Sequence, residues 1–178
     1  MLVSLSSILQ KAQRGGYAVG AFNINNLEML QAVMKAALSQ RSPVIISTSE
    51  GAIDYAGMDE LVVLVNLAAK KSKQPVVLHL DHGKNEETVK KAIASGWYTS
   101  VMFDGSSLPY KENVAKTKKL GALAHKKKIS VEAELGAIAV IEDFVSVESR
   151  NTHLTDPAQA RAFAEATGCD ALAIAIGT

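Results

Sequence analysis

A strand followed by a helix recurs five times along this sequence, and that alternation constrains the fold more than any other feature. The strand segments are nearly continuous apolar runs, as expected for parallel strands covered on both faces. Such alternation implies crossover connections within one parallel sheet. A short helix, ended by Gly15 and Gly16, precedes the first unit. The predicted strands are 17–23, 44–49, 75–82, 98–104, 129–135 and 171–178, and the predicted helices between them are 26–40, 59–71, 86–95, 110–127 and 157–167.

The composition is typical of one globular domain and disfavours several kinds of partner. Of the 178 residues, 48% are hydrophobic, and 19 Lys and Arg stand against 18 Asp and Glu. A net charge of +1 provides no basic excess for nucleic acid or a membrane surface. The only cysteine, Cys169, excludes an intrachain disulfide. We therefore expect a single domain over residues 1–178, cytoplasmic, with no nucleic-acid or membrane partner.

Two architectures accept this alternation, a doubly wound sheet and a (β/α)₈ barrel, and the polar residues distinguish them. A doubly wound sheet carries a glycine-rich phosphate loop after its first strand, and neither GxGxxG nor GxxxxGK[ST] occurs. A barrel carries its reactive groups at the carboxyl ends of the strands. The first five strands end in such groups: Asn23; Ser49; Asp81 and His82; Asp104; Glu132 and Glu134. We predict an α/β TIM barrel, of which about the first six strand-helix units are present, because such barrels take about 250 residues.

The densest group of reactive residues is the segment LHLDHG, residues 78–83. Asp81 and His82 follow an apolar strand, so both are expected to face the active end of the barrel. There an imidazole can bind a metal and a carboxylate can transfer a proton. A loop-capping aspartate beside a solvent-facing histidine is the structural alternative. His79, inside the strand, is interpreted as a core residue with a local hydrogen bond and not as a ligand.

Glu132 and Glu134 stand two residues apart on one predicted strand, so their side chains point to the same side. Two carboxylates facing the barrel interior near Asp104 require a metal or a tight network, and a structural salt-bridge cluster is the alternative. No predicted strand contains a lysine. A Schiff-base mechanism is therefore disfavoured, and electrophilic chemistry would come from a metal acting as a Lewis acid.

Six collinear segments resemble the class II, metal-dependent ketose-bisphosphate aldolases, the family of the fructose-1,6- and tagatose-1,6-bisphosphate enzymes. The segments are GYAVGAFNINNLE, SPVIISTSEGA, VVLHLDHG, SVMFDGSSLPYKENV, SVEAELG and DALAIAIGT. The resemblance implies a TIM barrel, dimeric or larger, that splits a sugar bisphosphate into dihydroxyacetone phosphate and an aldehyde, a lyase reaction of glycolysis. It also implies one catalytic zinc ion and leaves a second divalent ion open.

The resemblance assigns the residues of the metal site individually. His82 matches the first zinc-binding histidine of the family. Asp81 matches the acid/base that handles the proton of the C4 hydroxyl. Asp104 and Glu134 match carboxylates that serve as alternative or second-site metal ligands.

Other implied roles lie outside the metal site. Glu142, in the unpatterned segment 136–157, matches the loop glutamate that exchanges a proton with the dihydroxyacetone phosphate carbon; on the residues alone, solvated charge is the alternative. Asn23 and Ser49 match substrate contacts, Ser49 near a phosphate. The further zinc histidines and phosphate loops of the family have no counterpart. We expect the N-terminal portion of an aldolase barrel, or alternatively a non-catalytic chain, and favour fructose 1,6-bisphosphate over tagatose 1,6-bisphosphate.

Overall fold

A computed structural model describes residues 1–137, 141–142, 145–146 and 154–177 of the chain. Its strands are β1 (Ala21–Asn23), β2 (Val44–Ser49), β3 (Val76–Gly83), β4 (Ser100–Phe103), β5 (Ser130–Leu135), β6 (Ile141–Glu142), β7 (Val145–Ser146) and β8 (Ala171–Ile174). Six of them form one parallel sheet in the order β1-β2-β3-β4-β5-β8. The strands β6 and β7 form a separate antiparallel pair. Sequential parallel order is that of a barrel segment, which confirms the predicted partial TIM barrel.

Helices alternate with these strands as predicted. They are α1 (Leu5–Gly15), α2 (Leu27–Ser39), α3 (Glu50–Ala56), α4 (Met58–Lys71), α5 (Glu86–Ser95), α6 (Tyr110–Lys126) and α7 (Pro157–Thr167). The sequence pattern predicts neither the short helix α3 nor the strand pair of β6 and β7. Within the described ranges, no helix combines the length and apolar character needed to cross a bilayer.

Capping residues determine where the helices begin and end. Ser4 Oγ accepts a hydrogen bond from the Ser7 amide at the start of α1, and Gly16, with φ of 66°, ends that helix in the left-handed conformation. Asn85 caps α5 in the same way, through the amide of Glu87. Side-chain acceptors of this kind satisfy backbone donors that lack a partner inside the helix.

The two sides of the sheet differ in polarity. Val76, Leu78 and Leu80 of β3 face the helices and belong to the main core. On the inner side, Val77 packs with Leu5 of α1 at the amino end of the sheet. Further along the inner side, side chains become polar while staying buried, as with Ser47, His79 and Ser100. Because buried polar groups need partners, the carboxyl half of the inner side is where a functional site is expected.

Candidate metal centre

The carboxyl end of β3 departs from regular strand geometry. Its register with β4 shifts between Leu80 and Gly83, and His82 has φ of 45°, in the left-handed region that side chains rarely adopt. Successive side chains of a regular strand point to opposite faces. The distortion allows the side chains of both Asp81 and His82 to lie on the inner side of the sheet. Strain of this kind costs about 1–3 kcal/mol and clusters at functional sites.

Three predicted site residues converge at this end of the sheet: His82 from β3, Asp104 after β4 and Glu134 from β5. Nδ1 of His82 lies 3.1 Å from Oδ2 of Asp104 and 3.3 Å from Oε2 of Glu134. One ligand atom from each residue lies within 4.8 Å of the others. We call these residues the upper triad. They come from three consecutive strands, so parallel topology alone brings them together.

The upper triad fits a divalent metal ion. Two ligands held 2.0–2.1 Å from a tetrahedral zinc lie about 3.3–3.4 Å apart, and imidazole nitrogen with carboxylate oxygen is a donor set that zinc accepts. Oε2 of Glu134 is also buried, and Nδ1 of His82 at 3.3 Å is the polar atom that it faces among the contacts of the described residues. A buried carboxylate oxygen has further lone pairs that need a partner. A cation bound between the three side chains would satisfy it.

Hydrogen bonds set the ionisation of the metal-free triad. The hydrogen bond to Asp104, and next the one to Glu134, raise the pKa of His82 to about 11, although burial alone would lower it. Burial would raise the pKa of Asp104, but hydrogen bonds from His82 and Ser106 outweigh it and lower that pKa to about 2. Ser106 donates from both its amide and its hydroxyl to Oδ1 of Asp104, at 3.0 and 2.6 Å. With these pKa values the upper triad holds an imidazolium at His82 beside the carboxylate of Asp104.

A second histidine and glutamate lie one layer deeper on the same strands. Nε2 of His79 is 3.6 Å from Oε2 of Glu132, and Nδ1 of His79 is hydrogen-bonded to Oγ of Ser100 at 2.9 Å. We call His79 and Glu132 the lower pair. Burial lowers the pKa of His79 to about 4 and raises that of Glu132 to about 7. The core position and local hydrogen bond predicted for His79 are both present.

The remaining predicted residues occupy separate places. Nδ2 of Asn23 donates a 2.8 Å hydrogen bond to Oδ2 of Asp81, so the two carboxyl-end residues orient each other. Oγ of Ser49 accepts a hydrogen bond from the Ala52 amide at 3.2 Å and caps α3. The backbone of Glu142 lies in β6, and its side chain falls outside the part of the chain that the structure describes.

Sequence reasoning missed two residues of this region. Nζ of Lys84 lies 3.7 Å from Oδ2 of Asp104, although Lys84 falls outside every predicted strand. Asn113, fully buried in α6, donates from Nδ2 to the carbonyl oxygen of Glu134 at 2.9 Å and so anchors β5. The position of Lys84 only two residues after His82 was the available signal. The contact of Asn113 depends on how α6 packs, which no local pattern indicates.

The fold and the upper triad define a class of protein: a parallel α/β barrel segment with a metal-binding group at the carboxyl ends of its strands. A comparison with protein families agrees, since the family described as class-II fructose-bisphosphate aldolase matches residues 3–178. The chain belongs to the class II fructose-bisphosphate aldolase family.

Individual relatives extend this finding. The chain is 48% identical over 178 residues to a fructose-bisphosphate aldolase from Thermus caldophilus, covering 100% of this chain and 58% of that protein. The crystal structure of the YdjI aldolase from Escherichia coli K12 matches with a TM-score of 0.88 and 37% identity, over 99% of this chain and 63% of that one. A structure from Coccidioides immitis matches with a TM-score of 0.88 and 33% identity, over 98% and 61%. The chain thus spans less than two thirds of each relative.

Proposed function

We propose that this chain carries the metal-binding and proton-transfer residues of a class II aldolase, as the N-terminal portion of its barrel. The reaction is reversible cleavage of fructose 1,6-bisphosphate to dihydroxyacetone phosphate and glyceraldehyde 3-phosphate, as in glycolysis. The observation that carries the proposal is the convergence of His82, Asp104 and Glu134, with Nδ1 of His82 3.1 and 3.3 Å from the two carboxyl oxygens and all three ligand atoms within 4.8 Å of one another. Membership of the family supports the reaction class.

The proposed mechanism divides the work between the metal and the side chains. His82 would hold a zinc ion, with Asp104 and Glu134 as alternative or second-site ligands. Whether a second divalent ion binds is left open by the proposal. A bound divalent cation supplies positive charge that stabilises negative charge developing on a carbonyl oxygen. That role replaces the strand lysine of a Schiff-base aldolase, which the described strands do not contain.

Asp81 is the proposed acid/base for the hydroxyl whose proton leaves when the carbon–carbon bond breaks. Its Oδ2 accepts the hydrogen bond from Asn23, which fixes the carboxylate and directs its other oxygen for proton transfer. A positioned carboxylate of this kind contributes about 10²- to 10⁴-fold to rate. Glu142 is the proposed exchanger of the carbon-bound proton, and Asn23 and Ser49 the proposed substrate contacts.

Two finer features of the proposal concern substrate and assembly. Tagatose 1,6-bisphosphate is the alternative substrate, since the two sugars differ only in the configuration of one hydroxyl group. A homodimer or larger homo-oligomer is the proposed assembly. The Thermus caldophilus relative and the Coccidioides immitis structure are both named as fructose-bisphosphate aldolases, which favours fructose 1,6-bisphosphate.

The test pairs metal content with an aldol-cleavage assay on both bisphosphates. We expect elemental analysis to find about one zinc ion per chain. The assay is run on the chain alone and on the chain joined to the remainder of the Thermus caldophilus relative. Asp81→Asn should retain the zinc and lose cleavage, whereas His82→Gln should lose both, because His82 is a proposed ligand and Asp81 is not.

Each outcome decides one part of the proposal. Absence of zinc from both forms of the wild-type protein would overturn the metal site, and full activity of Asp81→Asn would overturn its role as acid/base. Faster cleavage of tagatose 1,6-bisphosphate would replace the proposed substrate by its alternative. Metal binding without cleavage in either form of the protein would leave a metal-binding chain and remove the aldolase activity from the proposal.

A further inference from the structure

Lys84 is the cationic side chain nearest the upper triad in the described structure. Its Nζ lies 3.7 Å from Oδ2 of Asp104. That same oxygen accepts the hydrogen bond from Nδ1 of His82 at 3.1 Å, while Oδ1 of Asp104 is taken by two hydrogen bonds from Ser106. An incoming cation can therefore reach Asp104 only through an oxygen that Lys84 already faces.

The backbone on both sides of Lys84 is held in place. The carbonyl oxygen of Gly83 accepts a hydrogen bond from the Asp104 amide at 3.1 Å, and the amide of Asn85 donates to Oε1 of Glu50 at 3.0 Å. A Cβ at Gly83 would lie 2.6 Å from the carbonyl oxygen of Met102, so glycine is required for this close approach. The attachment point of Lys84 is thus fixed beside the site.

The side chain of Lys84, by contrast, has room to move. It is 37% exposed, whereas the side chain of Asp104 is 5% exposed. A lysine carries its charge on a flexible four-carbon stem, and an exposed ammonium loses little when it returns to water. The carboxylate has no such option, because burial makes an uncompensated charge costly. Asp104 needs a cation in every state of the site, and Lys84 can leave.

We propose that Lys84 is a built-in counter-ion of Asp104 that competes with the divalent metal ion and is displaced when the metal binds. The proposal rests on the proposed function, since it presumes that the upper triad holds the metal. Lys84 then lowers the metal affinity of the site while keeping the metal-free site from carrying excess negative charge. It is a positioning residue for metal loading and takes no part in bond cleavage.

The experiment measures Co²⁺ affinity of the full 178-residue chain by visible absorption, with Co²⁺ as a spectroscopic substitute for zinc. Lys84→Met and Lys84→Leu both remove the charge, and leucine adds no ligand atom, so both variants should bind Co²⁺ about fivefold more tightly than wild type, the scale of a partly exposed ion pair. Tightening in Lys84→Met without tightening in Lys84→Leu would be due to the thioether sulfur and would overturn the inference. Lys84→Arg keeps the charge and should stay within about twofold of wild type. The difference between Lys84→Met and wild type should shrink at 1 M salt, where the Debye length is about 3 Å.

Lys90→Met is the matched control. Nζ of Lys90 lies 2.6 Å from Oε1 of Glu87 and 4.0 Å from Oε2 of Glu86, on the same helix. Its removal changes the net charge equally but frees no oxygen of the triad, so Co²⁺ affinity should be unchanged. Urea unfolding of each variant, in the absence of metal, checks that the fold is retained.

The outcomes separate this inference from the proposed function. Tighter Co²⁺ binding by Lys84→Met and Lys84→Leu, but not by Lys90→Met, supports competition at Asp104. Equal or weaker binding by Lys84→Met overturns the inference, as does equal tightening by Lys90→Met, and both results leave the metal site standing. If the wild-type chain takes up no Co²⁺ at all, the inference is overturned, and zinc content of the joined form decides the metal site separately.

Discussion

The upper triad and the lower pair each take a histidine from β3 and a glutamate from β5, yet the two histidines ionise in opposite ways. His82 is held as an imidazolium, with its pKa raised to about 11, beside Asp104, whose pKa is lowered to about 2. Three residues earlier on β3, His79 has a pKa of about 4, and Glu132 across from it has one of about 7. At pH 5 to 6 the upper histidine is charged while the lower histidine and glutamate are neutral.

Solvent access and the number of partners account for the contrast. The side chain of His82 is 30% exposed and faces two carboxylates, whereas that of His79 is 5% exposed and faces one carboxylate at 3.6 Å and a serine hydroxyl. Desolvation penalises the charged form of any group, and close opposite charge or hydrogen bonds to the charged form offset that penalty. The upper triad can therefore exchange a proton for a metal ion, while the lower pair is a neutral support beneath it.

The largest predicted effect concerns the pH dependence of stability in the lower pair. Burial holds the folded-state pKa of His79 near 4, below its ordinary 6.5. Between these values the unfolded chain binds more protons, so the free energy of unfolding rises with pH. Burial raises the pKa of Glu132 from 4.5 to about 7. Between these two values the folded chain binds more protons, so the contribution of Glu132 makes the free energy of unfolding fall with pH. In wild type the two contributions oppose each other.

Single substitutions should reveal each slope. Glu132→Gln leaves His79, and relative to wild type its free energy of unfolding should rise by about 3 kcal/mol as pH increases from 4.5 to 7. His79→Gln leaves Glu132, and its free energy of unfolding should fall by about 3 kcal/mol relative to wild type as pH increases from 4 to 6.5. Urea unfolding of the metal-free chain at several pH values measures both. Profiles parallel to wild type would show that the lower pair does not titrate as stated.

Next in size is the loss of metal affinity from the upper triad. Glu134→Gln removes a charged ligand, and zinc affinity should fall by more than about 100-fold, beyond the range for residues that only support ligands. Glu132→Gln is the matched control, because it makes the same change two residues away on the same strand. Its zinc affinity should stay within about tenfold of wild type.

Competition against a chelator of known zinc affinity gives both values. Equal losses in Glu134→Gln and Glu132→Gln would mean that the two layers act as one site. Unchanged zinc affinity in Glu134→Gln would mean that Glu134 is not a ligand and that the upper and lower glutamates do not differ in their role.

Much of the fold could be predicted because its signal is local. Continuous apolar runs predicted the six strands of the parallel sheet, although β1 begins at Ala21 and not at residue 17, and β8 ends at Ile174 and not at residue 178. The predicted helices 86–95 and 157–167 coincide with α5 and α7. The helix α3 was not predicted, because Ser49 is both the last residue of β2 and the cap of that helix. Its seven residues also show too little periodicity. Parallel order then placed the strand ends together without further information.

The residue types of the site could be predicted, but their division into the upper triad and the lower pair could not. A period of two placed Glu132 and Glu134 on one side, as the structure has them. It could not show that they meet different histidines, because that depends on the register shift and the φ of 45° at His82. The contact between Lys84 and Asp104 likewise joins two loops that are distant in sequence. Tertiary geometry, and not local propensity, decides these pairings.

The smallest predicted effect tests how firmly the lower pair is held. Ser100→Ala removes the 2.9 Å hydrogen bond to Nδ1 of His79 and leaves a buried polar nitrogen without its partner, so the free energy of unfolding should fall by about 1–2 kcal/mol. Ser39→Ala, at an exposed serine near the end of α2, should change it by less than about 0.5 kcal/mol. Zinc affinity should be the same in both variants. A fall in zinc affinity with Ser100→Ala would show that the lower pair transmits its geometry to the upper triad, and the neutral support would then be part of the metal site.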